Sequence, residues 1–471
     1  MLGNLSRRRL LGTAAAASLL PGSRSSPAAT PAAALRVERR TIDVDGRAAS
    51  VFGIRQPDGT PGIVLNPDQR FAITVENRCG DATIIHWHGQ TPPFLQDGVA
   101  ETGGTIIQPG EVQAYDFAAR PGTHWMHSHH GLQEQALMAA PLVVRTAEDM
   151  RVDMQDATIL LHDFSFRDPA EVLAAVTGQI KATTPGSSMP GMAMAPGSAG
   201  PDLNDYDYDA YLANDRTLAD PLVIRVERGG RVRLRLINGA TSTAFWIDTG
   251  ALEGTVISAD GNPVRPVKGR RFPLAQGQRL DIMVTIPKDG GTFPVLAQRE
   301  GDRRRTGIVL APSGAAIHRL PDMAAASVPP IDNSLEARLA AATPLRPTAA
   351  GITHRIALTG TMMPYIWSLD DRTWANHVPL HASKGQRVIL QMSNLTRMAH
   401  PMHLHGHHFQ VIGLDGTRIA GALRDTVLVP ARGSVTVAFD ADNPGRWLFH
   451  CHHLFHMASG MMTELAYDGI A

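Results

Sequence analysis

Histidine supplies the chemistry in this chain. It occurs 20 times in 471 residues, a density at which chance gives fewer than one His-x-His pair. Five such pairs are present: His86/His88, His127/His129, His403/His405, His405/His407 and His450/His452. Residues two apart on a β-strand project to one face, so each pair aims two imidazoles at one spot. Neutral imidazole suits copper, zinc or iron. Four segments hold eight such imidazoles: His86-Trp87-His88, His127-Ser128-His129, His403-Leu404-His405 and His450-Cys451-His452. Eight are too many for one zinc ion and suit a cluster of three coppers.

Cys451 is the middle residue of its triplet, so on a strand it projects away from His450 and His452 and serves a different metal. A thiolate with two imidazoles and a weak axial thioether is the ligand set of an electron-transfer copper, and His400, His456 and Met461 can complete it. The backbone from Cys451 to its two neighbours then joins the two centres, on the order of ten ångström apart. Ser128 occupies the position equivalent to Cys451 in His127-Ser128-His129. A hydroxyl does not replace a thiolate, so one sulfur-ligated centre is expected, near the C-terminal end.

The elements that position these groups are repeated. Arg-φ-x-φ-x-φ-x-Asn, with φ apolar, occurs at Arg70–Asn77, Arg231–Asn238 and Arg387–Asn394, and its period-two alternation predicts a half-buried strand ending at a turn residue. A spacing of about 160 residues is far too long for a solenoid and predicts three similar β-sandwich domains. Gly122–His129 and Gly445–His452 form a second repeat, each preceded by proline and closing on His-x-His, whereas Gly291–Leu296 in the middle copy has no histidine. The expected layout is domain 1 at 35–150, a copper-free spacer at 151–312, a linker at 313–350 with a weakly signalled helix at Asn333–Ala342, and domain 3 at 351–471. Residues 185–201 form a Gly/Ser/Pro/Met loop. Its Met189, Met192 and Met194 are either soft ligands for Cu(I) or plain loop residues.

Composition narrows the partners. Lys plus Arg and Asp plus Glu are both 44, so no global field recruits nucleic acid. Two cysteines, Cys79 and Cys451, exclude a disulfide framework. Ser6-Arg7-Arg8-Arg9-Leu10-Leu11, an Ala-rich run and Ala32-Ala33-Ala34 predict a twin-arginine export signal over 1–34, read by the export machinery. Leu10–Leu20 is too short to span a bilayer, and no other stretch is apolar enough. A periplasmic monomer without a membrane span is expected.

These four segments resemble those of the multicopper oxidases, and the three-repeat layout extends the resemblance over essentially the whole mature chain. It implies an all-β protein of three consecutive cupredoxin-like Greek-key domains holding four copper ions. By that resemblance His86 and His403 hold type 2 copper, and His88, His127, His129, His405, His450 and His452 hold the type 3 pair. Cys451, His400 and His456 hold type 1 copper, with Met461 axial. The implied reaction takes single electrons from a small reducing substrate, a phenol or Cu(I), and reduces dioxygen to water. Asp97 resembles the acid that family members place by the cluster, although an Asp-Gly turn accounts for it nearly as well. Copper-efflux members often carry an acid directly after the second type 1 histidine; Met457 stands there. The competing reading is a copper-sequestering envelope protein without turnover.

Overall fold

The computed structural model describes residues 33–178 and 201–470. Residues 1–32, most of the stretch expected to be an export signal, and Met189, Met192 and Met194 lie outside the described residues. The first strand, Ala33–Val44, overlaps the last two residues of the expected signal.

Each repeated sequence is a strand, and each sits in the same surroundings. Phe71–Arg78, Arg231–Asn238 and Arg387–Asn394 each pair in parallel with an earlier strand, Ala33–Val44, Gln155–Phe164 and Ile352–Met362 respectively. On the other side each pairs antiparallel with Val112–Phe117, Arg279–Thr285 or Ser434–Asp440. Each of these sheets faces a second one, and the fold is all-β, with three cupredoxin-like sandwiches in succession. Alternating apolar residues build the cores: Leu35, Phe71, Val75 and Trp87 in the first sandwich, and one contiguous cluster from Ala157 to Tyr467 across the other two. Among the described residues only Pro169–Val176 and Leu454–Ala458 are α-helical, and no helix is long and apolar enough to cross a membrane.

The asparagine that closes each repeat is a buried brace. Asn77 Nδ2 donates to the carbonyls of Asp81 and Ile107, Asn238 Nδ2 to those of Thr243 and Leu274, and Asn394 Nδ2 to those of Met398, Val429 and Pro430. Each Oδ1 accepts from the backbone N–H two residues on. An apolar residue there would leave several buried carbonyls unpaired, which explains why the strand pattern ends on asparagine.

Residues 313–350 contain no strand and one short 3-10 turn, Glu336–Arg338, in place of the weakly signalled helix. They run as an extended strap bridged to the middle sandwich at Arg304–Met323 and Val264–Ala341. Glu336 fastens the strap by accepting from Arg424 Nε at 2.6 Å. Cys79 and Cys451 are both buried and unbridged.

Candidate metal centres

Strand register assembles the histidines. Ile85–His86 pairs with Gly122–Ser128 so that His86 faces His127, and His400–Leu404 pairs with Arg446–Cys451 so that His403 faces His450. The same pairing sets Met402 against Cys451 and Ile85 against Ser128. Directly opposed residues of an antiparallel pair share a face. His403 and His450 therefore point one way while His400, Met402 and Cys451 point the other. One pair of strands carries chemistry on both faces.

On the first face, imidazoles from the N-terminal and C-terminal sandwiches interleave. His86 packs on His405 with ring centroids 3.9 Å apart, His88 on His403 at 3.8 Å, His127 on His452 at 5.2 Å and His129 on His450 at 5.4 Å. All eight are at least nine-tenths buried. Ligand atoms of His86, His403 and His405, of His86, His88 and His127, and of His129, His405 and His450 lie within 4.8 Å of one another.

The outward nitrogens are held by acceptors. His86 Nδ1 bonds to the Asp97 carbonyl at 3.0 Å, His403 Nδ1 to the Asp425 carbonyl at 2.9 Å and His450 Nδ1 to the Cys451 carbonyl at 3.0 Å. Carboxylates hold three more: Asp97 Oδ2 at His405 Nδ1 (2.8 Å), Asp425 Oδ1 at His88 Nε2 (3.1 Å) and Glu134 Oε2 at His127 Nδ1 (2.9 Å). The inward nitrogens His86 Nε2, His88 Nδ1, His127 Nε2, His129 Nε2, His403 Nε2 and His452 Nε2 are buried without a partner. Buried polar atoms are ordinarily paired, so this ring of lone pairs is a cradle for cations. The residues present fit a copper cluster.

Burial keeps the cradle neutral, as ligation requires. It pushes His88, His127, His129, His403, His405 and His452 well below the ordinary imidazole range and His450 down to about 3. Burial also pushes Glu134 up to about 8. Burial opposes the charge on Asp425 too, but the paired Arg279 guanidinium, 2.5 Å away, holds that carboxyl well below its usual range.

On the opposite face, His400, Cys451 and His456 form a second buried set. Cys451 Sγ lies 3.7 Å from both His400 Nδ1 and His456 Nδ1, and those nitrogens are 3.1 Å apart. Thr396 Oγ1 holds His400 Nε2 at 2.8 Å and also donates to Asn394 Oδ1 at 2.8 Å, so the repeat's asparagine brace reaches this set. Leu454–Ala458 delivers His456 and is tied down by Leu454 N–H donating to the Thr241 carbonyl of the middle sandwich. Met461 is buried in the same core, its carbonyl accepting from Cys451 N–H at 3.1 Å. Burial pushes the Cys451 thiol up, so a metal must displace its proton.

The structure gathers the histidines and Cys451 that the sequence singled out into two clusters and sets Asp97 against His86 and His405, but the sequence missed what surrounds them. Asp205 Oδ2 lies 3.2 Å from His456 Nε2 and 3.4 Å from His453 Nε2, under the Tyr365 hydroxyl that donates to it. Glu134 and Asp425 were missed as well. A signal existed for two of them: Glu134 sits seven residues after His127, and Arg424-Asp425 interrupts an apolar strand run. His124, His407 and His408, near the clustered histidines in sequence, bond to Pro121, Tyr467 and Asn262.

Three multicopper oxidase family models match, at residues 36–149, 156–319 and 348–469. The chain is 33% identical to the multicopper oxidase MmcO of Mycobacterium tuberculosis, over 97% of this chain and 91% of that protein. It belongs to the multicopper oxidases. Copper resistance protein A of Escherichia coli is 25% identical over 94% of each chain. The laccase of Botrytis aclada superposes with a TM-score of 0.75 at 21% identity, covering 93% of this chain and 89% of that one. The protein is a copper-dependent oxidoreductase that uses dioxygen as acceptor, and the sequestering reading is not favoured.

Proposed function

We propose that this multicopper oxidase oxidises a small phenolic donor one electron at a time and reduces dioxygen to water with four copper ions. In this reading His400, Cys451 and His456, with Met461 axial, hold type 1 copper. His86 and His403 hold type 2 copper, and His88, His127, His129, His405, His450 and His452 hold the type 3 pair. Bound copper supplies single-electron acceptance at the sulfur set and oxygen reduction in the imidazole cradle. The chain does the rest. Asp97, Asp425 and Glu134 fix ring orientation, and such outer partners matter nearly as much as the ligands themselves. Asp97 Oδ1, buried without a partner beside His86, carries protons to the cradle.

The observation favouring a phenol is a cavity of about 540 Å³ beside the sulfur set, walled by Leu203, Ala244, Ile331 and Leu428 with Glu300 and Asp202 as polar points. Apolar walls with a few placed polar groups suit an aromatic ring. Met398, a further wall residue, and the relatives named copper resistance protein A favour Cu(I) as the second reading. We further propose domains at 35–150, 151–312 and 351–471, twin-arginine export to the periplasm, and a monomer. Oxygen uptake by the copper-loaded enzyme with 2,6-dimethoxyphenol and with Cu(I) tests the function. Uptake with the phenol is the expected result, and a fully loaded enzyme that consumes no oxygen with either donor contradicts it.

A further inference from the structure

The cavity does not reach the sulfur set where a donor would be expected to meet it. His456 is fully buried, with Trp367 over its ring at a centroid distance of 4.1 Å and Asp205, beneath Tyr365, against its Nε2 edge. None of His400, Cys451 and His456 lines the cavity; His453 does. Its ring lies flat on His456, centroids 3.8 Å apart and planes 9° from parallel. Its Nε2 faces Asp205 Oδ2 at 3.4 Å, and its Nδ1 has no hydrogen-bond partner, although the residue is 2% exposed. Buried polar atoms are ordinarily paired, so the bare Nδ1 of a ring in the cavity wall marks a contact left for a ligand.

We infer that His453 is the electron port of this enzyme: the donor contacts the His453 ring, and its electron passes through the stacked pair to the metal held by His456. This rests on the oxidase reading above. A phenol gives up one electron to the cupric centre and its hydroxyl proton to water at the cavity mouth, becoming a phenoxyl radical, while His453 is unchanged over the cycle. The packing decides between ports. A donor in this cavity meets His453, whereas at His456 it would have to displace Trp367 or Asp205 from a close-packed core. The stack also gives His453 a use the sequence did not suggest, since two residues past Cys451 it has the wrong offset for either ligand set.

The test uses the copper-loaded enzyme and two probes, 2,6-dimethoxyphenol as donor and p-nitrophenol as a redox-inert occupant. In stopped flow without oxygen, His453→Leu is expected to bleach the blue band about a hundredfold more slowly, the scale of loss when a reacting pair is mispositioned. The band itself and reoxidation of reduced enzyme by oxygen should stay as in the parent. His453→Phe, which keeps a stacked ring, should retain most of the rate. Ala431→Trp, which fills the cavity rim, should abolish calorimetric binding of p-nitrophenol and slow bleaching in step. Unchanged bleaching in His453→Leu, loss of its blue band, or unchanged bleaching in Ala431→Trp each overturns the port. A parent enzyme with no blue band or no reoxidation defeats the oxidase reading instead.

Discussion

His405 Nε2 and His450 Nε2 lie 2.9 Å apart. The other nitrogen of each ring faces an acceptor, Asp97 Oδ2 for His405 and the Cys451 carbonyl for His450, so both protons sit on Nδ1. Two lone pairs are pressed together in a dry interior, and the arrangement becomes favourable only with a cation between them. Copper is therefore part of the folding energy. Free copper at a hundredfold excess over its dissociation constant should add about 2.7 kcal/mol. Calorimetry of loaded and chelator-treated protein checks this; equal melting temperatures would count against it.

Asp97 joins His405 to His86 across the interface between the first and last sandwiches. Asp97→Asn keeps an acceptor for His405 but removes the charge, so the ring stays and the proton supply goes. Reoxidation of reduced enzyme by oxygen should slow by 10–100-fold, as for other outer partners, while bleaching of the blue band by donor stays unchanged. Rapid mixing in each direction separates the two.

The three asparagine braces are not equivalent in their reach. Asn77→Ala and Asn394→Ala each strand buried carbonyls, and each should cost about 1–3 kcal/mol by denaturant unfolding. Only Asn394 continues through Thr396 to His400. Asn394→Ala should therefore also shift the blue absorption band, and Asn77→Ala should leave it in place.

Glu300, in the cavity wall, carries a pH signature of its own. It accepts from Ile331 N–H at 2.9 Å, and burial pushes its carboxyl from 4.5 up to about 7. With the folded value above the unfolded one, its contribution is fully present below pH 4.5 and is lost as pH rises through 7. Glu300→Gln keeps the acceptor and removes the ionisation. At pH 8 the variant should be the more stable protein, by up to about 3 kcal/mol, and the gap should close on acidification. Urea unfolding at pH 5 and pH 8 measures it.

The fold and the clustering of the histidines with Cys451 were legible in the sequence because the patterns that report them are local. Strand parity alone separates Cys451 from His450 and His452, and period-two alternation ending on asparagine reports three equivalent central strands. What surrounds the ligands was not legible, because it arises between segments far apart in the chain. Asp205 meets His456 from the middle sandwich, Asp425 reaches His88 across the chain, and Glu134 returns to His127 through a short turn. The stacking of His453 on His456 depends on the helix Leu454–Ala458, which is too short to announce itself by periodicity.

The central proposition is that one strand, Arg446–Cys451, with the residue that follows it grips two separate copper centres through opposite faces. Copper content and visible absorption of the parent and Cys451→Ser measure it most directly. Four coppers per chain with an intense thiolate band, falling to three with the band gone, is the predicted result. Equal copper in both proteins, or loss of every copper from the variant, would contradict it.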